Sequence, residues 1–462
     1  MTSEKFRHQL QQEAKNWQEE GLINAELYER LSERYRFEAL MVASRNRFVA
    51  IFLVLGSLLL GLAVITLVAA NWQAWPRTVK AGMLMTLFIG VNWGGFRLWH
   101  YSQESWQSRL GKGLLLLGAL LLGANLGLMS QMFHRSDPVF HLFLVWGLGV
   151  WLMAYSLRLT LLGVLATVLS AWGYGAGITT QVVLPNPTGW RLAIAHFPIL
   201  ACLLLLPLAY RCGSKWLFGM SAIVVVISLE LNLPIFLRDA YLDSTLSGLI
   251  VAIAAILPTA WLWAYHDSSE DLIFRPIARN LSLFLLSLLL FFLSFNFWSD
   301  LPTLTASEAL SVWQQDWQVL WDLLLLMGWT IWSWWQLGKS ANDSAWRLDS
   351  NSYGIAGILL TAGCFIGWQL SLGAIGAWGT VLFNILLFCL AIGLLRQALT
   401  RGQRLGFWGG VVLLGAQLTA RMLEYDTGLL LKAIALFCCG VAVILAGLWF
   451  ERYLRAEKFS KF

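Results

Sequence analysis

Apolar runs of roughly bilayer length follow one another from Phe48 to Phe450, separated by short polar joints. A helix that crosses a bilayer needs about 20 mostly apolar residues, because its backbone polar groups must be satisfied within the helix itself. Such segments read at 48–70, 79–98, 113–132, 139–157, 159–180, 192–210, 216–232, 246–265, 279–298, 317–337, 353–372, 374–395, 405–423 and 428–449. The pattern predicts an all-α protein: a polytopic transmembrane helix bundle of about 14 spans over 48–450, followed by a basic tail at 451–462. The joints near Arg158 and Gly373 have almost no loop and leave room for a re-entrant hairpin or a miscounted pair.

The stretch before the first span, residues 1–47, has a different period. Phe6, Leu10, Ala14 and Trp17 recur at helical spacing, and Gly21 ends the run. Asn24 can cap a second helix with an apolar face of Leu27, Leu31 and Tyr35. This predicts a small N-terminal cytosolic helical hairpin whose stripes pack on each other or on the membrane part. A charged segment of this length ahead of the first apolar run is unlike a cleaved signal peptide, so the first span is expected to start insertion uncleaved.

Composition agrees with the pattern. The chain is 58% hydrophobic and 13% charged, with a mean hydropathy of +0.65, far from soluble-domain averages. Basic residues then orient the spans. With a cytoplasmic N-terminus, 17 of the 32 Lys and Arg fall in cytoplasmic loops and the tail, 8 precede the first span, and 7 lie opposite. Both termini are therefore expected in the cytoplasm. The loop between the ninth and tenth segments carries Asp300, Glu308 and Asp316 with no Lys or Arg, which suits the outer side. The net charge of +6 reflects this bias, and no nucleic-acid partner is expected.

Many of the 26 tryptophans fall at segment ends and read as an interfacial belt. Trp329, Trp332, Trp334 and Trp335 cluster in one segment, as lipid-facing packing or a groove for a lipid tail. Glycines pair four apart (Gly90 with Gly94, Gly123 with Gly127, Gly363 with Gly367, Gly406 with Gly410), the spacing that lets helices approach closely. The six cysteines all lie in or at the ends of apolar segments and read as small packing residues.

Extramembrane loops are short, so a substrate site must form between helices or at their ends. Asn71, Gln131, His134, Arg135, Asp137, Glu230, Asp322, Arg421, Asp426 and Lys432 fall on the predicted outer side. If the bundle gathers them they form a mixed-charge vestibule, with Glu230 or Asp322 paired to Arg421 or Lys432; otherwise they are separate hydrated helix-end groups. Deeper polar residues are Asn92, Asn125, His196, Gln369, Asn384 and Gln417, which interhelical hydrogen bonds can satisfy. His196 precedes Pro198, which can bend its segment. No zinc spacing or phosphate-binding loop is present, so no cofactor and no metal are expected, and an enzyme is disfavoured.

Several motifs occur in a recognisable order. They are Trp17, Gly21-Leu22-Ile23 and Tyr35, then Ala69-Ala70-Asn71-Trp72-Gln73, then Ser130-Gln131-Met132-Phe133-His134 with Asp137, then Leu144-Val145-Trp146-Gly147-Leu148-Gly149. Over about residues 5–160 this resembles the bacterial predicted-membrane-protein family called domain of unknown function 2157. The resemblance implies a bacterial inner-membrane protein and transfers no catalytic residue. The expected function is permease- or flippase-like binding of a small polar or amphipathic solute, with the lipid bilayer as its surroundings and a lipid or solute as ligand. Competing readings are a non-transporting scaffold whose N-terminal hairpin docks a protein partner, and a membrane-embedded transferase.

Overall fold

The computed structural model of the chain describes residues 4–35, 55–63, 76–102, 104–132, 138–183, 189–239, 244–267, 273–298, 317–339 and 347–424, with shorter pieces among 52–70 and 428–448. Among the described residues the protein is all helix and turn, without strands. It divides into two compact units, Met1–Ala176 and Gly177–Phe462. The expected boundary at residue 47 and the basic tail lie outside the described residues.

The first unit opens with the expected hairpin, α1 (Glu4–Glu19) and α2 (Ala25–Tyr35). Gly21 adopts φ +75°, the left-handed turn that glycine takes without strain. Asn24 then caps α2, its Oδ1 accepting from the Leu27 N–H at 2.9 Å. Ala14 is fully buried and packed by Leu10, Trp17, Ile23, Tyr28, Leu31 and Tyr35. The inward face of α2 thus runs through Tyr28, whereas Leu27 is 45% exposed. Leu27 follows the first-turn residue Glu26, and its N–H serves the cap while its side chain turns outward.

That unit also holds α3 (Arg77–His100), α4 (Ser105–Met132), α5 (Val139–Leu157) and α6 (Thr160–Val183) as far as Ala176. Small residues bring each close to the next. A side chain at Gly111 would strike the α3 backbone at Gly95 and Trp99, and one at Gly149 would meet Leu122. Gly123 lies against the Trp146 indole, whose N–H donates to the Ala119 carbonyl at 2.7 Å. Gly147 and Gly173 make the same close approach between α5 and α6. Lipid offers apolar side chains little reason to leave it, so this close packing and the hydrogen bonds within it are what hold such helices together. The joint at Arg158 is a sharp corner in the left-handed conformation (φ 54°) between two complete helices.

The second unit contains α7 (Gly189–Ala195), α8 (Phe197–Cys212), α9 (Lys215–Asp239), α10 (Ser244–Trp263), α11 (Arg275–Leu293), α12 (Trp317–Gly338), α13 (Ser350–Ser371), α14 (Ala377–Arg401) and α15 (Arg404–Glu424). Its core gathers Leu286, Leu290, Leu359, Ala362 and Leu387 around Trp298, which stacks on Phe383 at 4.9 Å. The joint at Gly373 is a turn between α13 and α14, with positive φ at Gly373 and Gly376.

Seven described helices are long and apolar enough to cross a membrane, or eight if α7 and α8 form one span. That is fewer than the fourteen read from sequence. The difference lies in Gly- and Trp-rich helices such as α3 and α12, and in the ends of the apolar region outside the described residues.

Candidate functional site

Pro198 breaks a helix that the apolar pattern alone would carry straight through. It has no N–H to give the Ile194 carbonyl, and its ring clashes with that carbonyl in a regular helix. The chain answers at His196 (φ −92°, ψ 16°), and α8 leaves α7 at 67°. The His196 N–H still reaches the Leu192 carbonyl at 2.9 Å, and the Leu200 N–H reaches the His196 carbonyl at 3.0 Å. The Ala195 carbonyl is held by the Asn232 side chain of α9, which donates at 2.8 Å.

Opposite this break, α12 presents Asp322. Its Oδ1 lies 2.7 Å from His196 Nδ1, and the Ile199 backbone N–H in the first turn of α8 also lies at the carboxyl. Asp322 is 1% exposed, and its Oδ2 has no hydrogen-bond partner among the described residues. The His196 side chain, at 30% exposure, is the open edge of the pair. A buried carboxyl with a free oxygen, facing a broken helix, is costly to keep in a membrane protein and marks a functional candidate.

Two other polar clusters hold backbone at the two ends of α11, although Arg421 Nε and Nη2 in the first have no hydrogen-bond partner among the described residues. Past the end of α11 the chain is not helical from Ser294 to Trp298, and side chains from three helices satisfy it. Arg421 of α15 donates to the Ser294 carbonyl at 2.7 Å, as does Asn384 of α14 at 3.0 Å. Gln369 of α13 donates to the Trp298 carbonyl at 3.0 Å and accepts from the Ile375 N–H at 2.7 Å. Glu424 pairs with Arg421 and accepts from the Asn296 N–H. The second cluster centres on Asp267, which is 4% exposed. Its Oδ1 accepts from the Tyr210 hydroxyl at 3.0 Å. Its Oδ2 accepts from the backbone N–H groups of Phe274 (2.6 Å) and Arg275 (3.0 Å), capping α11. Tyr265 donates to Tyr210 at 3.1 Å beside it.

The ten residues singled out from sequence therefore fare unequally. Asp322 turns to His196 and Arg421 to Glu424, one turn along its own helix, in place of the expected pairing between Asp322 or Glu230 and Arg421 or Lys432. The bend places His196 against α12, and Arg421 is drawn to unsatisfied carbonyls. Glu230 is half-buried on α9, Lys432 half-buried near the chain's end, and Gln131 exposed at the end of α4. Asn71, His134, Arg135, Asp137 and Asp426 lie outside the described residues. The Pro198 bend was visible in the sequence; its partner, 126 residues away, was not. Among the described residues no three His, Cys, Asp or Glu side chains converge as a metal site requires.

Residues 15–163 match the model of a family described as predicted membrane protein, domain of unknown function 2157. The match covers the N-terminal third of the chain, so His196, Asp322 and Arg421 lie beyond it. No curated protein and no solved structure matches the chain.

Proposed function

We propose that this membrane protein is permease- or flippase-like and binds a small polar or amphipathic solute at the α7–α8 break, with Asp322 and His196 as contact residues. The observation that carries the reading is the broken helix facing a buried carboxyl with a free oxygen. Interrupted helices create polar sites inside otherwise apolar bundles, because the freed backbone groups and nearby side chains can engage a ligand there. The two other described polar clusters engage backbone at the two ends of α11. Although Arg421 Nε and Nη2 also lack hydrogen-bond partners, among the described residues only the Asp322 carboxyl with its free oxygen faces a broken helix. The family resemblance supports a bacterial inner-membrane protein, and the distribution of Lys and Arg supports cytoplasmic termini, an orientation in which the break would lie toward the outer face.

The test is a thermal-stability screen of the purified protein in nanodiscs against a panel of small amines, acids, sugars and lipid head groups. A solute at about 100 times its dissociation constant stabilises the folded state by roughly 2.7 kcal/mol. The expected result is a hit that Asp322→Asn and His196→Gln abolish and Arg421→Lys retains. A hit insensitive to both changes, or no hit across the panel, sinks the reading. A scaffold role then takes its place, favoured by the N-terminal hairpin with its own small core and the exposed Leu22 and Leu27.

A further inference from the structure

At the break the buried side-chain atom without a partner among the described residues is an acceptor, Asp322 Oδ2. Hard metal cations are held in cages of several oxygens. Here a ring nitrogen already occupies Oδ1, and among the described residues no second carboxylate joins the pair in a cluster. A lone carboxyl oxygen in a residue 1% exposed, coupled to an imidazole with an open edge, suits the smallest cation.

We infer that the His196–Asp322 pair is a proton-binding site and that its loading with one proton changes the bend between α7 and α8. The inference rests on reading the break as the solute site and names the ion linked to it.

The proton comes from water at the exposed edge of His196 and returns there; no other bond is made or broken. Without it, neutral imidazole donates one hydrogen bond to a carboxylate. With it, the pair has either an imidazolium facing the carboxylate or a neutral carboxyl, and its net charge rises by one. Charge interactions are far stronger in a low-dielectric interior than in water. A change of one unit between α12 and His196, the residue that joins α7 to α8, therefore bears directly on how α8 meets α7.

Other groups on the packed elements are placed differently. Glu230 lies two residues from Asn232, toward the opposite side of α9. Arg191 of α7 precedes His196 by more than a turn and is engaged in an interaction of its own. Cys202 is buried further along α8, Tyr210 and Arg211 lie at its far end, and Lys215 opens α9. On α12, Asp322 is the one charged residue.

The test uses the full chain in nanodiscs, with native cysteines replaced and spin labels at Leu192→Cys and Leu203→Cys, both exposed positions on either side of the break. Distances are read from about pH 5 to about pH 8, where histidine-linked groups change charge. The expected result is two distance populations whose ratio moves with pH, by up to about tenfold per pH unit, the limit for one linked proton. The shift is abolished by Asp322→Asn, kept by Glu230→Gln, and unaffected by exchanging sodium for potassium. The nitrogen NMR signal of labelled His196 in the otherwise unaltered protein, assigned through His196→Gln, should change in step with the distance ratio. This second readout does not depend on the Asp322 variant folding. A ratio that ignores pH, follows sodium, or shifts equally in Asp322→Asn overturns the inference, as does a His196 signal that does not change with the ratio. Proton linkage without any solute hit would remove the solute reading and leave the proton site standing.

Discussion

Adding one methyl group at Gly111 should loosen the first unit, whereas the same group at Gly90 should not. A Cβ built on Gly111 falls 2.7 Å from the Gly95 carbonyl oxygen and 2.8 Å from Trp99 Cα, with the Trp99 nitrogen closer still. These are backbone atoms of α3 and cannot rotate away. Ordinary contact lies near 3.5–4.0 Å, so α3 and α4 must part by about 1 Å along the contact. Overpacking of this kind costs roughly 1–3 kcal/mol, and backbone obstruction argues for the upper end. Alanine returns up to about 1 kcal/mol through its higher helix propensity, leaving a net loss near 2 kcal/mol. At Gly90 nothing lies within 4 Å of the new methyl, so only the propensity gain remains. The two variants should then differ by about 3 kcal/mol, on the order of a hundredfold in the folded-to-unfolded ratio. Reversible unfolding in mixed micelles of graded dodecyl sulfate content measures both. Gly111→Ala as stable as the unaltered protein, or Gly90→Ala falling with it, would refute the reasoning.

Two further outcomes follow from the polar clusters. Asp267→Ala leaves the Phe274 and Arg275 N–H groups and the Tyr210 hydroxyl without their acceptor, at about 1–3 kcal/mol for each buried group stranded; the same micelle unfolding should report a loss of at least about 2 kcal/mol, and Asp267→Asn a smaller one. Gln369→Leu keeps the volume but orphans the Trp298 carbonyl and the Ile375 N–H; a loss under about 0.5 kcal/mol would show that those bonds are replaced, against the 2 kcal/mol or so expected.

Helix positions could be read from the chain because apolar run length is a local property. The segment expected at 139–157 is α5, Val139–Leu157, to the residue, and the Gly21–Asn24 turn appears with its cap. Facing was less legible. Gly123 and Gly127 do meet Trp146 and Leu142, and Gly363, Gly367, Gly406 and Gly410 all meet neighbours, but Gly90 and Gly94 face open space. The close approach between α3 and α4 instead uses Gly95 and Gly111. A spacing of four places two glycines on one face without saying which face is inward, and in a membrane the outward face is apolar too. The candidate site was legible in parts: Pro198 foretold the bend, and His196 and Asp322 were visible as polar residues in apolar runs. Their pairing depends on where α12 packs against α8, which no local pattern specifies.

The unwound stretch from Ser294 to Trp298 has a consequence for how the protein is made. Its carbonyls are satisfied by Gln369, Asn384 and Arg421, and 127 residues of synthesis separate Ser294 from Arg421. At about 5–20 residues per second, the ribosome needs roughly 6–25 s to supply that last partner. Gln369 and Asn384 are made before Arg421, so the Trp298 and Ser294 carbonyls gain their first donors earlier and Arg421 adds a second to Ser294. Until those donors arrive water or the insertion machinery must serve the stretch, and a messenger truncated before the Gln369 codon should yield a chain in which the end of α11 has none of these three partners.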